Sequence, residues 1–309
     1  MKVAATIHEL IGNTPLLEIT AFRLPEGTRV FAKLEYYNPG GSVKDRLGME
    51  LIEEAMRQGH LAPGGTVIEP TAGNTGIGVA LACIKYGIKP VFTVPEKFSM
   101  EKQKLMQALG AEIITTPTCE GMTGAIRRSE ELAETIPGAY VLAQFSNPAN
   151  PMAYYRTLGP ELLGQLGHID VFVAGAGTGG TFTGVSTYLK EKLLAVKTVI
   201  VEPVGSILNG GEAGSHDTEG IGLEFIPAFM EPGQFDAIHT ISDQEAFRFV
   251  KELALKTGAM VGSSSGAAMA AALKEAAIAP PGSIIVTIFP DSGERYLSKD
   301  IYNYGSEGK

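Results

Sequence analysis

"TVIEPTAGNTGIGVALACIKYGIKPVFTVP", residues 66–95, reads as strand, glycine loop, helix, strand. The β-branched run "TVIEP" ends in a turn, Thr71-Ala72-Gly73-Asn74-Thr75-Gly76, and the apolar "GVALACIKYG" leads on to "PVFTVP". Two short strands joined through a helix make a βαβ unit: parallel pairing, a right-handed crossover, and strands covered on both faces. The alternation continues outward. "RVFAKLE", "AEIITT", "AYVLAQ", "DVFVAG", "TVIVEP" and "SIIVTIFP" have strand character, and Glu101–Leu109, Ala125–Glu134, Met152–Leu166 and Gln244–Lys256 have helical character. The chain is therefore expected to be α/β with parallel sheets. "SNPANP", Ser146 to Pro151, marks the boundary between two such sheets. Gly205 to Gly233, irregular and rich in glycine, is too long for a plain connection. Ligands of open α/β sheets bind at the carboxyl ends of strands, so the strand-to-helix loops should carry the chemistry.

The totals narrow the class. The 309 residues suffice for two modest domains, and 44% hydrophobic with 19% charged residues is globular rather than disordered composition. A formal charge of −9 without a basic run argues against binding a nucleic-acid backbone. Cys83 and Cys119 form no disulfide framework and no metal-ligand spacing, and the histidines (His8, His60, His168, His216, His239) form no HExxH or HxH pair, so no metal site is expected. The start, "MKVAATIHELIGNTP", lacks the apolar core of a signal peptide, and no stretch is long and apolar enough to span a bilayer. A soluble cytoplasmic protein is expected.

Three loops look suited to anions. "EPTAGNTG" leads a strand into a helix, where free backbone N–H groups and the helix dipole favour a carboxylate or phosphate; a turn N-capped by Thr71 or Asn74 is the plain alternative. "VAGAGTGGTFTG", Val173 to Gly184, suits a phosphate cradle, yet Gly175, Gly177 and Gly180 also fit G-x-G-x-x-G, and Glu202 ends the next strand as a ribose-binding acid would. "MVGSSSGAAMAAAL" sets three serines before an Ala-rich helix; capping explains one of them.

"NPGGSVKDR", Asn38 to Arg46, then poses a chemical question. Ser42-x-x-Asp45 has capping-box spacing, with apolar positions recurring helically until Gly59, so Lys44 falls in the first turn, where a cation is disfavoured. A positive helix end and partial desolvation both lower a lysine's pKa, which suits an imine-forming amine better than a surface charge.

Together "NPGGSVKDR", "EPTAGNTG", "GTGGT", "GSSSGA" and "FPDSGERYLS" stand in the order and spacing of the pyridoxal-phosphate β-family. Over essentially its whole length the chain resembles the cysteine synthase/cystathionine β-synthase group of fold type II. The resemblance implies two parallel-sheet αβα domains of the tryptophan synthase β-subunit-like fold, with the active site in the cleft between them. It implies an N-terminal domain at 41–146, a mobile subdomain at about 88–131, and a C-terminal domain at 147–309 to which 1–40 cross over. Lys44 would be the Schiff-base lysine and the acid/base at the substrate α-carbon. Gly177, Thr178, Gly179, Gly180 and Thr181 would bind the cofactor phosphate, Asn74 the ring 3′-oxygen and Ser264 the pyridine nitrogen. Thr71, Ala72, Asn74 and Thr75, with Gln144, would grip the substrate carboxylate. A serine partner leaves the ring a weaker electron sink than an aspartate would, favouring β-elimination to an α-aminoacrylate and addition of a thiol.

Two departures bear on the thiol. Cysteine synthases of this type have serine where this chain has Ala72, and commonly glycine where "GIGLEFIP" has Glu224. A carboxylate there resembles cystathionine β-synthases and could pair with the amino group of homocysteine. The expected reaction is β-replacement on serine or O-acetylserine by homocysteine, giving cystathionine, with release of hydrogen sulfide from cysteine or homocysteine as a further activity. Cysteine synthesis from sulfide is the alternative, and a nicotinamide-dependent oxidoreductase or a non-catalytic binding protein are the readings from other classes. The resemblance also implies a homodimer, and nothing resembles a haem-binding or regulatory extension.

Overall fold

The computed structural model describes residues 3–71, 73–96 and 99–304. In chain order the elements are β1 (Leu16–Glu18), β2 (Arg29–Leu34), α1 (Lys44–Arg57), β3 (Thr66–Pro70), α2 (Asn74–Tyr86), β4 (Lys89–Pro95), α3 (Met100–Ala108), β5 (Glu112–Thr116), α4 (Gly121–Thr135) and β6 (Ala139–Val141). They continue with α5 (Ala149–Arg156), α6 (Leu158–Leu166), β7 (Val171–Gly175), α7 (Gly180–Lys192), β8 (Lys197–Pro203), β9 (Ala237–Ile241), α8 (Asp243–Thr257), α9 (Ser263–Ile278) and β10 (Ile284–Phe289). The fold is α/β, and the chain forms two compact units, one of Met1–Ile11 with Asn38–Ala153, the other of Gly12–Tyr37 with Tyr154–Lys309. Among the described residues no helix is long and apolar enough to cross a membrane.

The first unit holds a parallel sheet in the order β5-β4-β3-β6. Its central strands are mainly apolar because helices cover both faces: Val67, Ile68, Val91, Phe92 and Val94 are all buried, with Glu69 and Thr93 buried among them. β6 is shorter than "AYVLAQ" suggests. Leu142 N–H still pairs with the Ile68 carbonyl, but Ala143 adopts a left-handed φ of 53° and turns the chain out of the sheet.

The second unit holds a sheet in the order β1-β2-β10-β7-β8-β9, parallel except for β1 against β2. Its core, with Val173, Val199, Val201, Ile285 and Phe289 from the strands, is closed by the alanine face of α9 (Ala267, Ala270, Ala271). Lys33 of β2 is buried in this unit and is matched by the Thr14 carbonyl at 2.7 Å, Gln165 Oε1 at 3.0 Å and Glu161 Oε2 at 3.0 Å. Such matching is what a buried cation needs.

One helix expectation is corrected, and two strands appear that the sequence pattern did not show. Met152–Leu166 is two helices, broken at Thr157. The apolar pattern runs through, but Pro160 lacks an N–H and its ring would strike the carbonyl four residues back in a continuous helix, so it is accommodated only in the first turn of α6. β1 is too short to show a pattern, and β9 ("AIHTI") carries His239 and Thr240, which masked its strand character.

Candidate active site

In the first unit Lys44 opens α1, as its spacing predicts, but the capping box does not form. Val43 occupies the N-cap, so Asp45 sits one position too early to close the box. Ser42 Oγ accepts the Lys44 N–H at 3.2 Å, and the Asp45 carboxylate turns back to accept the Gly40 N–H. Helices α1 and α2 touch through backbone. A Cβ on Gly78 would lie 2.7 Å from the Lys44 carbonyl carbon, and one on Gly48 would lie 2.6 Å from the Val79 nitrogen. Two facing glycines thereby hold the Lys44 backbone against Gly78, which lies about one turn after Asn74 at the start of α2. The side chain is half-buried, and desolvation pushes its ammonium down to about 8.

Around the turn before α2, Thr71 Oγ1 accepts the N–H groups of Gly76 at 3.2 Å and Gly73 at 3.4 Å. Gly73 occupies the N-cap without a side-chain cap, so the first N–H groups of α2 lack the in-helix acceptors that later ones find. Thr75 Oγ1 donates to Gln144 Oε1 at 2.8 Å, and Gln144 Nε2 donates to the Pro70 carbonyl at 3.2 Å. Thr71, Thr75 and Gln144, chosen from different parts of the sequence, thus stand around one strand end. Ala72 lies outside the described residues.

In the second unit the loop after β7 is rich in glycine, with Thr178 between Gly177 and Gly179. Gly179, at φ 82°, is the N-cap of α7 and leaves that helix without a side-chain cap. A Cβ on Gly177 would fall on the Gly220 carbonyl, and one on Gly179 would lie 2.7 Å from Met230 Cγ. Amide donors, a helix N-terminus and no room for side chains suit a phosphate. The serines after Val261 divide the work. Gly262 rather than a serine caps α9, Ser263 Oγ accepts the Glu219 N–H at 2.9 Å, and the Ser265 hydroxyl is buried without a partner among the described residues. Ser264 is the one that faces Gly220: a Cβ there would stand 3.9 Å from its Oγ.

Gly220, Met230, Ser263 and Asp243 are site-shaping residues that sequence reasoning missed. Gly220 and Met230 had one signal, the length and glycine content of the stretch after Pro203; Ser263 stood unresolved among the three serines before α9, and Asp243 had no signal. Asp243 holds that stretch by accepting the N–H groups of Asp217 at 2.7 Å and Thr218 at 2.9 Å and the Thr218 hydroxyl at 2.5 Å. Gly222 N–H reaches the Ala176 carbonyl at 2.8 Å, tying it to the phosphate-type loop. Glu224 follows, exposed and, among the described residues, without an ion pair. The dinucleotide reading loses its acid: Glu202 accepts the N–H groups of Leu208 at 2.9 Å and Asn209 at 3.1 Å and the Thr240 hydroxyl at 3.0 Å. Both oxygens are engaged inside the protein. Among the described residues no cluster of His, Cys, Asp and Glu could hold a metal ion.

Residues 7–291 match the family model described as pyridoxal-phosphate dependent enzyme. The chain is 60% identical over 306 residues to an O-acetylserine dependent cystathionine β-synthase of Bacillus subtilis, covering 99% of this chain and 100% of that protein. It is 55% identical over 305 residues to a cysteine synthase of Helicobacter pylori, covering 98% and 100%. The crystal structure of an O-acetylserine dependent cystathionine β-synthase from Helicobacter pylori superposes with a TM-score of 0.95 at 55% identity, covering 98% of this chain and 100% of that one.

Proposed function

The chain belongs to the pyridoxal-phosphate dependent enzymes, and from that premise we propose that it catalyses β-replacement on O-acetylserine or serine by homocysteine, giving cystathionine. The observation that carries the chemistry is Lys44: a half-buried amine, lowered to about 8, fixed by a glycine contact close to the Asn74–Thr75 turn. The residues present fit the cofactor. The glycine-rich Gly177–Thr181 loop, with the hydroxyls of Thr178 and Thr181, would take its phosphate, Ser264 its pyridine nitrogen, Asn74 its 3′-oxygen, and Lys44 its aldehyde. When bound, pyridoxal phosphate supplies the electron sink that acidifies the α-proton of an amino acid.

The protein's own part is binding and proton handling. Thr71, Ala72, Asn74, Thr75 and Gln144 would grip the substrate carboxylate with backbone and side-chain donors. The Lys44 amine would take the α-proton as the Cβ–O bond breaks, the electron pair leaving with acetate or hydroxide. It would return that proton to Cα once the thiol sulfur has bonded to Cβ; the thiol proton goes to solvent. Ser264, a neutral hydroxyl, would leave the ring nitrogen less protonated than an aspartate would, which favours loss of the β-substituent over long-lived charge at Cα.

Glu224 selects among nucleophiles in this reading. Its exposed carboxylate can pair with the ammonium of homocysteine, which sulfide lacks. An exposed pair contributes up to about 1 kcal/mol, a factor of about five. Glu224→Gly should therefore raise the KM for homocysteine about fivefold and leave that for sulfide unchanged. An unchanged homocysteine KM removes this role for Glu224. Cysteine synthesis from O-acetylserine and sulfide is the second reading, favoured by the 55% identity to a protein named cysteine synthase. Comparing turnover of the two nucleophiles with serine and O-acetylserine as donors decides between them. We further read the enzyme as a cytoplasmic homodimer, which sedimentation and cell fractionation test.

A further inference from the structure

Glu69 has no part in the chemistry above, yet it sits under the carboxylate grip. It is the fourth residue of β3, fully buried, and its Oε1 accepts the backbone N–H of Gln144 at 3.3 Å. The Ala143 backbone N–H and the Gln144 side chain favour its charged form against the burial, while among the described residues Oε2 is buried without a hydrogen bond. Ala143 is the left-handed residue, at φ 53°, that swings the chain out of β6. A side chain in that region is strained by roughly 1–2 kcal/mol. The turn it makes aims Gln144 back across the end of β3, where Nε2 reaches the Pro70 carbonyl and Oε1 receives the Thr75 hydroxyl. Asn150 Nδ2 donates to the Gln144 carbonyl at 2.7 Å from the far side. The backbone link that starts Gln144 on this path is thus held by a carboxyl group on the neighbouring strand.

We propose that Glu69 is a positioning residue: its buried carboxyl holds the strained Ala143–Gln144 turn and thereby keeps the Gln144 side chain against Thr75, in register for an amino-acid carboxylate. The role in substrate binding rests on the grip assigned to Thr75 and Gln144 above. Burial pushes the Glu69 carboxyl up to about 8, so at neutral pH it is mostly the uncharged acid. Glutamine is the neutral isostere that keeps the accepting oxygen. Leucine keeps the volume and removes it.

The test uses two readouts on Glu69→Leu and Glu69→Gln. Hydrogen exchange of the backbone amides at 143–147, measured on the cofactor-free protein, should speed at least tenfold in the leucine variant and stay within twofold of wild type in the glutamine variant. In the holoenzyme the KM for O-acetylserine should rise about tenfold in Glu69→Leu, with the KM for the thiol and the affinity for pyridoxal phosphate unchanged, and Glu69→Gln should restore it. Unchanged exchange in a folded Glu69→Leu protein overturns the proposal, as does an equal loss in the leucine and glutamine variants. Gln144→Ala separates the two levels: if exchange at 143–147 speeds in Glu69→Leu but Gln144→Ala leaves the donor KM alone, the acid does hold the turn and the assigned grip is what falls. If Glu69→Leu does not fold, the Glu69→Leu/Ala143→Gly double variant decides, because glycine takes a positive φ without strain. It folds if the acid's task is to restrain that turn; if it stays unfolded, the proposal is lost.

Discussion

Replacing Gly78 by alanine puts one methyl group into the contact between α1 and α2. The new Cβ would lie 2.7 Å from the Lys44 carbonyl carbon and 3.1 Å from the Asp45 nitrogen. Carbon atoms in ordinary contact stand about 3.5–4.0 Å apart, so the helices must part by about 1 Å. Neither neighbour is the flexible end of a side chain; both are backbone. Overpacking of this kind typically destabilises by about 1–3 kcal/mol. The same displacement moves Lys44 relative to Asn74 and Thr75, and a misplacement of about 1 Å in a catalytic group costs roughly a hundredfold in rate. Gly164→Ala is the control. Gly164 lies in α6 with nothing near the added methyl, so that variant should be stabilised by about 0.5–1 kcal/mol with unchanged turnover. Thermal unfolding, cofactor titration and kcat for β-replacement would be measured on both. A folded Gly78→Ala enzyme whose kcat stays within threefold of wild type refutes the reasoning, because Lys44 would then not depend on the glycine contact.

Two further outcomes are expected. Capture of pyridoxal phosphate by the cofactor-free protein should follow the neutral Lys44 amine, rising with pH to a midpoint near 8, where an ordinary lysine would climb to about 10.5. At pH 7.5 that leaves about a quarter of the amine neutral, against about a thousandth for an ordinary lysine. A midpoint above 9.5 by stopped-flow absorbance contradicts the desolvation argument. Gly177→Ala should weaken pyridoxal phosphate binding by at least a hundredfold, since its methyl falls on the Gly220 carbonyl, and Gly167→Ala should not. Gly167, at a helix end with nothing near an added Cβ, will instead show a loss of stability from its positive φ of 72°.

How much was legible follows from the range of each signal. The βαβ plan is local: an apolar run, a glycine loop and a helix lie within thirty or so residues, and each reads from its own composition. Lys44 and the Gly177–Thr181 loop were legible for the same reason. What escaped depends on partners far along the chain. Gly220 matters because it backs Gly177 and Ser264, and nothing around residue 220 says so. Glu69 looked like a strand residue until Gln144 came to rest on it. The capping box failed by one position, since Ser42 and Asp45 have its spacing but the helix starts after Val43. Within Met152–Leu166 the hydrophobic period outweighed Pro160, although the proline was the better guide.

Glu202 carries a lesson for redesign. Its carboxylate already braces the start of the long connection through Leu208 and Asn209 and locks the adjoining strand through Thr240. An engineer hoping to retarget this scaffold to a nicotinamide coenzyme would find the glycine signature in place and the sugar-recognising acid already spent. Freeing it means finding new acceptors for two main-chain amides and a hydroxyl, so a search that counts glycines and one trailing acid will keep mistaking proteins built this way for dehydrogenases.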